Sequence, residues 1–313
     1  MSENFVIVPE SSYLYDPCTK NYWNESNSGW LNEYEFVDSF DSVIQVLSKT
    51  GDHVGSVKVD PMFSTHMLGA FEDNETNLLH VDVLKWKDAS AYTVYTFVDN
   101  AIDGQDYPEK LTQVTRYSID MKDWTLKEEK NLINDETLKN SNFEFPNINP
   151  AYQGKPYSYA YLVKNVFKTK GSVIKLNVAE GSVIEKKMPT GMFPTEPYFI
   201  SSPNATKEDD GIVLVSGIDG HKKKGFIRIF NASTMEVITH GTAPKLSLFG
   251  LHSRFYPFDI GCEKGDCTPE DTPTSTKQPT TPSSGSIFGL KYQFILLNFC
   301  LLFYLQPILN LYL

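Results

Sequence analysis

Basic residues and cysteines are both scarce in this sequence. Its 313 residues include 28 lysines and arginines against 39 aspartates and glutamates, which gives a net charge of −11 at pH 7. The longest basic run is Lys222–Lys224; because phosphate backbones are bound by larger clusters of cations, the composition argues against a nucleic-acid-binding protein. The four cysteines (Cys18, Cys262, Cys267 and Cys300) are too few for a disulfide scaffold, and their spacing matches no zinc motif.

The sequence also lacks the signatures of several common enzyme classes. It contains no His-Glu-x-x-His, no Gly-x-Ser-x-Gly, no phosphate loop and no dinucleotide fingerprint, so nothing supports a hydrolase or a nucleotide-dependent enzyme. A signal peptide is not indicated, because no basic segment is present and the apolar run Phe5–Val8 is too short. The first residues instead have the pattern of a strand, with no loose polar segment before it. We therefore expect Met1 to be an internal methionine of a longer protein.

Apolar and aromatic residues are plentiful, at 41% and 13% of the chain, which is enough for a substantial core. Up to about residue 258, short β-rich runs alternate with turn residues, and the longest helix candidate is the short segment Asp135–Asn142. This pattern predicts an all-β domain, either a barrel, a sandwich or a propeller, and its length favours several propeller blades. The runs include Ser42–Leu47, Asn77–Trp86, Tyr92–Val98, Thr112–Ile119, Tyr157–Phe167, Ser172–Val178, Gly211–Ile218, Gly225–Phe230 and Met235–His240.

The composition changes twice towards the end of the chain. Residues 259–286 are rich in Ser, Thr and Pro and cannot pack a core, which predicts an extended linker after a domain spanning residues 1–258. Residues 287–313 are strongly apolar, with Lys291 as their only charge. At ~1.5 Å per residue they could cross a bilayer as a helix. We therefore expect membrane association, through a single transmembrane helix or through a glycolipid-anchor signal that would place the protein at the cell surface. The glycolipid-anchor signal is favoured over the transmembrane helix because no basic segment follows the apolar residues. A buried core helix is the third alternative.

Six histidines are the candidates for a metal site. His53 and His221 lie in turn-like sequence, His240 ends a predicted strand at the surface, and His80 fits a hydrogen-bonded core position. His66 and His252 each lie among apolar residues and glycine, where a neutral imidazole can bind a metal. Taken alone, their wide separation in sequence favours a structural role for both.

Four sequence blocks, in order, resemble the carotenoid cleavage oxygenases, the family of the β-carotene oxygenases and the retinal pigment epithelium isomerohydrolase. The resemblance covers residues 1 to about 258. The first block is His66–Asn74 followed by Val81, Asp82 and Trp86, similar to His-x-x-Asn-x-Tyr-Glu-Asp, and the second is Phe143–Asn149 with Gly154–Tyr161, similar to Phe-Glu-Phe-Pro-x-Ile-Asn and Gly-Lys-Pro-Tyr-x-Tyr-Ala-Tyr. The third block is Pro194–Ile200 with Glu208–Leu214, similar to Ser-Glu-Pro-x-Phe and Glu-Glu-Asp-Asp-Gly. The fourth block is Gly250–Pro257, similar to Gly-Phe-His-Gly-x-Phe.

The resemblance implies a seven-bladed β-propeller with Fe(II) on its axis, held by four histidines, three of which are oriented by glutamates. His66 and His252 would be two of the iron ligands, and Glu144 and Glu196 would be their respective carboxylate partners. An imidazole that donates its second N–H to a carboxylate is fixed in tautomer and becomes a better ligand. The implied reaction is the O2-dependent cleavage of a conjugated C=C bond in a carotenoid or apocarotenoid, with two carbonyl products.

The chain departs from the family pattern in two respects. The other two iron histidines and a third glutamate would lie upstream of Met1, so we expect a truncated form that binds iron weakly and that, expressed alone, neither folds stably nor turns over carotenoid. Gly69 also stands where relatives often carry Asn.

Other interpretations remain open at this point. The protein could be a non-catalytic, membrane-tethered propeller that binds a lipid or pigment, an isomerase on the same scaffold, or a cell-surface adhesion module. Glu144 could be a surface strand residue, with Phe143 and Phe145 on the opposite face.

Overall fold

The computed structural model describes residues 1–15, 34–86, 88, 111–138, 141–242, 252–255 and 294–296. The chain divides into two units, Met1–Phe249 and Gly250–Leu313. The all-β prediction is confirmed, since the described residues form strands joined by turns, with short 3-10 turns at Glu136–Leu138 and Pro150–Tyr152. The first of these turns falls within the segment that was predicted as a short helix.

The first unit begins with a small antiparallel sheet and a separate strand pair. Its first five strands are β1 (Phe5–Glu10), β2 (Tyr13–Tyr15), β3 (Tyr34–Phe36), β4 (Ser42–Ser48) and β5 (His53–Val59). Strands β1, β4 and β5 form a three-stranded sheet, and β2 pairs with β3. His53, which was predicted in a turn, is the first residue of β5, where its ring is exposed and Nε2 lies 3.0 Å from Gln45 Oε1.

Three four-stranded sheets follow, and in each the strands pair antiparallel in sequence order. The second sheet consists of β6 (Phe63–Asp73), β7 (Leu78–Trp86), β8 (Thr112–Asp120) and β9 (Thr125–Asn131). The third consists of β10 (Phe143–Ile148), β11 (Tyr159–Lys164), β12 (Ser172–Asn177) and β13 (Val183–Lys187). The fourth consists of β14 (Met192–Ser201), β15 (Gly211–Asp219), β16 (Lys224–Asn231) and β17 (Val237–Thr242).

Each pair of successive sheets encloses its own apolar core. Strand β11 shows how the sequence produces this arrangement, because its side chains alternate between two cores. Ala160 and Leu162 pack with the second sheet, whereas Tyr161 packs with the fourth. The outermost strand of the second sheet, β9, is mostly exposed although it contacts β5, and it accordingly has the polar sequence Thr-Leu-Lys-Glu-Glu-Lys-Asn.

The first strands of the three four-stranded sheets are neighbours, since β10 contacts both β6 and β14. The Asn147 side-chain oxygen accepts a hydrogen bond from the Phe199 backbone N–H, 3.2 Å away, and so links β10 to β14. All three strands carry a register shift: between Ser64 and Met67 in β6, between Glu144 and Asn147 in β10, and between Pro194 and Pro197 in β14. A β-bulge re-aims side chains, and each of these shifts lies beside a predicted site residue.

The second unit is described at two short strands, β18 (Ser253–Phe255) and β19 (Phe294–Leu296), which pair antiparallel. The predicted linker 259–286 lies outside the described residues, as does the predicted strand Tyr92–Val98 and all of the apolar tail 287–313 except β19. Among the residues that the structure describes, no helix is long and apolar enough to cross a membrane.

Candidate metal-binding site

The structure brings His66 and Glu144 together across the boundary between the second and third sheets. His66 Nδ1 lies 2.7 Å from Glu144 Oε2, although the two residues are 78 positions apart in the sequence. The Glu144 side chain is fully buried, and the His66 side chain keeps 21% of its surface exposed. The interpretation of Glu144 as a surface strand residue is therefore wrong.

The Glu144 carboxylate accepts hydrogen bonds from four donors. Oε1 accepts hydrogen bonds from the Thr65 hydroxyl and from the Trp86 indole N–H, the latter at 2.9 Å. Oε2 accepts hydrogen bonds from His66 Nδ1 and, at 3.3 Å, from the backbone N–H of Phe145. A buried carboxylate is costly unless its oxygens are hydrogen-bonded, so these donors hold the charge in place and fix the carboxylate's orientation.

The register shift in β10 explains why simple strand alternation does not describe this site. Phe145 has a backbone φ of +55°, which is uncommon for a residue other than glycine. Its ring meets the His66 ring edge-on, with the centroids 5.9 Å apart, so Glu144 and Phe145 both contact the same histidine. A left-handed residue beside a functional side chain is a form of local strain that commonly occurs at sites.

This geometry has a direct chemical consequence for His66. Because Nδ1–H donates to Glu144, the proton is held on Nδ1 and the ring's other nitrogen, Nε2, carries the lone pair that can bind a metal. The donor type and its carboxylate partner fit a ferrous ion, for which neutral imidazoles are common ligands.

The other two predicted site residues lie on separate elements. Glu196 is partly buried on β14, within the register shift of that strand. His252 is partly buried and directly precedes β18 in the second unit. Within the described ranges, no three or more His, Cys, Asp and Glu side chains come together as a metal cluster. The pairing of His252 with Glu196, and the convergence of His252 with His66, stay predictions.

A second buried carboxylate, Asp82, lies on β7 with Trp86, and the sequence interpretation gave it no role. Asp82 is fully buried and accepts two hydrogen bonds from Arg116, at 2.8 and 2.7 Å, and one from the Tyr157 hydroxyl at 2.5 Å. Burial and the Asp82 charge raise the pKa of Tyr157 well above its ordinary value. The sequence feature that could have indicated this buried ion pair is the position of Asp82, a charged residue within the apolar run of β7.

Gly69 belongs to the same contact region. A Cβ atom at this position would lie 3.0 Å from Tyr157 Cε1, so the aromatic ring occupies the space that a larger side chain would need. The absence of a side chain at Gly69 therefore allows Tyr157 to reach Asp82.

The fold and this site define a class of protein. It is an all-β protein of successive antiparallel sheets, in which a histidine on the first strand of one sheet is hydrogen-bonded to a buried glutamate on the first strand of the next. The family model described as RPE65, retinal pigment epithelial membrane protein, matches residues 1–257. The chain belongs to this family, that of the carotenoid oxygenases, and the resemblance drawn from the four sequence blocks is confirmed.

Curated relatives of the chain include carotenoid cleavage enzymes of plants and animals. The chloroplastic carotenoid cleavage dioxygenase 8 homolog B of rice is 26% identical over 82% of this chain and 46% of its own length. The β,β-carotene 15,15′-dioxygenase of mouse is 24% identical over 91% of this chain and 54% of its own length. The chain thus spans about half the length of the curated relatives that it matches.

Solved structures of the same family share the fold. A point mutant of the Synechocystis apocarotenoid oxygenase superposes with a TM-score of 0.64 at 18% identity, over 80% of this chain and 51% of that one. The cobalt-substituted Synechocystis enzyme gives a TM-score of 0.63 at 17% identity, over 78% of this chain and 49% of that one.

Proposed function

We propose that the protein is a non-haem Fe(II) dioxygenase that uses O2 to cleave a conjugated C=C bond in a carotenoid or apocarotenoid. Family membership and the printed activities of the relatives support this reaction class. The observation that carries the proposal is the buried hydrogen bond from His66 to Glu144, because it prepares an imidazole for metal binding at the junction of two inner strands.

Two of the four iron ligands would come from this chain. His66 and His252 would each bind through a neutral imidazole, and Glu144 and Glu196 would orient them. The ferrous ion, when bound, would supply the binding and activation of O2. Glu144 keeps the His66 proton on Nδ1, and the buried Trp86 donates to the other oxygen of the same carboxylate.

The remaining parts of the site belong to a longer protein in this proposal. The chain would be a truncated form that lacks two iron histidines and the first blades of a seven-bladed propeller. Such a protein binds its long apolar substrate in a tunnel and releases two carbonyl products. The Ser/Thr/Pro-rich segment 259–286 and the apolar segment 287–313 would attach it to a membrane, through a glycolipid anchor or one transmembrane helix.

The proposal is tested on the complete gene product, after mass spectrometry of its N-terminal peptide has established where the natural protein begins. We expect two further histidines before Ser2, one iron per protein, and carbonyl products that carry ¹⁸O when β-carotene or an apocarotenal is supplied with ¹⁸O2. The His66→Ala variant should lose both the iron and the products. An iron-free complete protein that binds pigment without cleaving it would instead establish the non-catalytic alternative.

A further inference from the structure

A cleft of about 310 Å³ lies at one end of the fourth sheet, away from His66 and Glu144. It forms where β14 and β16 begin and where β15 and β17 end. Its lining includes His221, Lys222, Arg228 and His240, a concentration of basic side chains in a chain whose net charge is −11. The proposed oxygenase chemistry uses none of them.

Arg228 is one of the side chains that line this cleft. Its Nε is buried and has no hydrogen-bond partner among the residues that the structure describes. Buried polar atoms are nearly always hydrogen-bonded, so an unpartnered guanidinium N–H leaves a donor to be satisfied by a water molecule or an anion.

Arg116 gives the matched comparison, because it also lies on the third strand of a four-stranded sheet. Asp82 is directly opposite Arg116 on the second strand and binds it through two hydrogen bonds. Val215 is opposite Arg228 on the second strand, so no carboxylate neutralises Arg228 from that side.

On its other side, Arg228 faces a second basic residue. His240 is its register partner on β17. The His221 ring lies against Gly191, where a Cβ atom would come within 2.4 Å of His221 Nε2. An anion between these side chains would accept a hydrogen bond from the Arg228 N–H.

One carboxylate, Asp219, also lines the cleft, and its negative charge would repel a bound anion. It is already engaged by Lys222, whose Nζ lies 3.2 Å from Asp219 Oδ2 and whose backbone N–H donates to Oδ1 at 3.0 Å. The Lys222–Asp219 pair is therefore neutral as a unit, and Arg228 provides the uncompensated charge.

We propose that this cleft binds a phosphate group. A guanidinium offers a planar fork of donors that suits tetrahedral oxyanions, and the hydroxyls of Thr190 and Thr242 in the lining can donate to the remaining oxygens. The phosphate could belong to a soluble phosphomonoester or to the headgroup of an anionic phospholipid, since both present the same oxygens.

The experiment uses the complete gene product in a low-salt buffer without added iron, so its outcome is independent of the oxygenase proposal. Binding of inorganic phosphate is measured by isothermal titration calorimetry for the wild type and for Arg228→Gln. Lys58→Gln serves as the control, because Lys58 is an exposed β5 lysine outside the cleft. Flotation with phosphatidylcholine vesicles, with and without phosphatidic acid, forms the second arm.

We expect saturable binding that Arg228→Gln weakens at least about tenfold and Lys58→Gln leaves unchanged. If only the vesicles containing phosphatidic acid bind, and Arg228→Gln abolishes that binding, the ligand is a lipid headgroup. Circular dichroism checks folding, and the exposed His240→Gln variant, expected to weaken binding as well, replaces Arg228→Gln should that variant unfold. Absence of binding in both arms, or equal binding by the wild type and the cleft variants, would overturn the proposal.

Discussion

His66 on β6 donates its Nδ1 proton to Glu144 on β10, and this 2.7 Å hydrogen bond joins two sheets as well as two residues. Thr65 and Trp86 bind the other oxygen of the same carboxylate from the second sheet. The position of the imidazole is therefore set by the packing of one sheet against the next. This relationship leads to predictions about both metal binding and stability.

Replacing Glu144 with Gln should weaken iron binding by the complete protein about 10- to 100-fold, because the imidazole loses its anionic partner and becomes a poorer ligand. The measurement is the iron dissociation constant from competition with a chelator. Glu185→Gln is the matched control, since Glu185 pairs with Lys164 and Ser172 in the outer part of the third sheet. Equal losses in both variants would show that the effect is not specific to His66.

Replacing Asp82 with Asn should lower the free energy of unfolding by about 3–5 kcal/mol, because it leaves the Arg116 guanidinium buried without a compensating charge. Urea denaturation of the complete gene product measures the change. Asp41→Asn removes an exposed partner of Lys58 and should change stability by less than about 1 kcal/mol. A small effect at Asp82 would mean that the buried ion pair contributes little.

Replacing Gly69 with Ala should destabilise the fold by about 1–3 kcal/mol, because the new methyl group would press on the Tyr157 ring that is held by Asp82. Gly241→Ala is the control, since a Cβ atom there has no neighbour within 4 Å and Gly241 is also in a strand. Thermal unfolding followed by circular dichroism compares them. Equal midpoints for the two variants would contradict the predicted crowding at Gly69.

His80 should make stability depend on pH. Burial, and secondarily the charge of Arg116, lowers the pKa of His80 in the folded chain. The unfolded chain therefore binds the proton more tightly, so the stabilising contribution is complete above about pH 6.5 and is lost as the pH falls towards the folded pKa. His80→Gln should flatten the pH dependence of the urea midpoint in this range. A slope that survives His80→Gln would assign the pH dependence to another group.

The strands were largely predictable from the sequence, because apolar residues at alternating positions and turn residues between runs determine where strands begin and end. Thr112–Ile119 and Ser172–Val178 agree with β8 and β12 to within one residue. The register shifts were not predictable, since they arise where inner strands of neighbouring sheets meet. For that reason the face of Phe145 was assigned wrongly, and the partners of Asp82 were missed.

The site residues Glu144 and His66 were reached through sequence blocks and not through spacing. They are 78 positions apart, and nothing local in either segment indicates that they meet. The basic cleft around Arg228 was likewise invisible, because His221 and His240 each read as an ordinary surface residue. Only the pairing of β16 with β17 brings Arg228 and His240 to opposite positions.

The central claim is that His66 and His252 bind one ferrous ion. A crystal structure of the iron-loaded complete protein, with anomalous scattering recorded at the iron edge, tests it most directly. We predict a single iron peak within bonding distance of an imidazole nitrogen of both residues, with the Glu144 carboxylate still hydrogen-bonded to His66 Nδ1. An iron peak that either ring cannot reach, or two imidazoles too far apart to share an ion, would contradict the account.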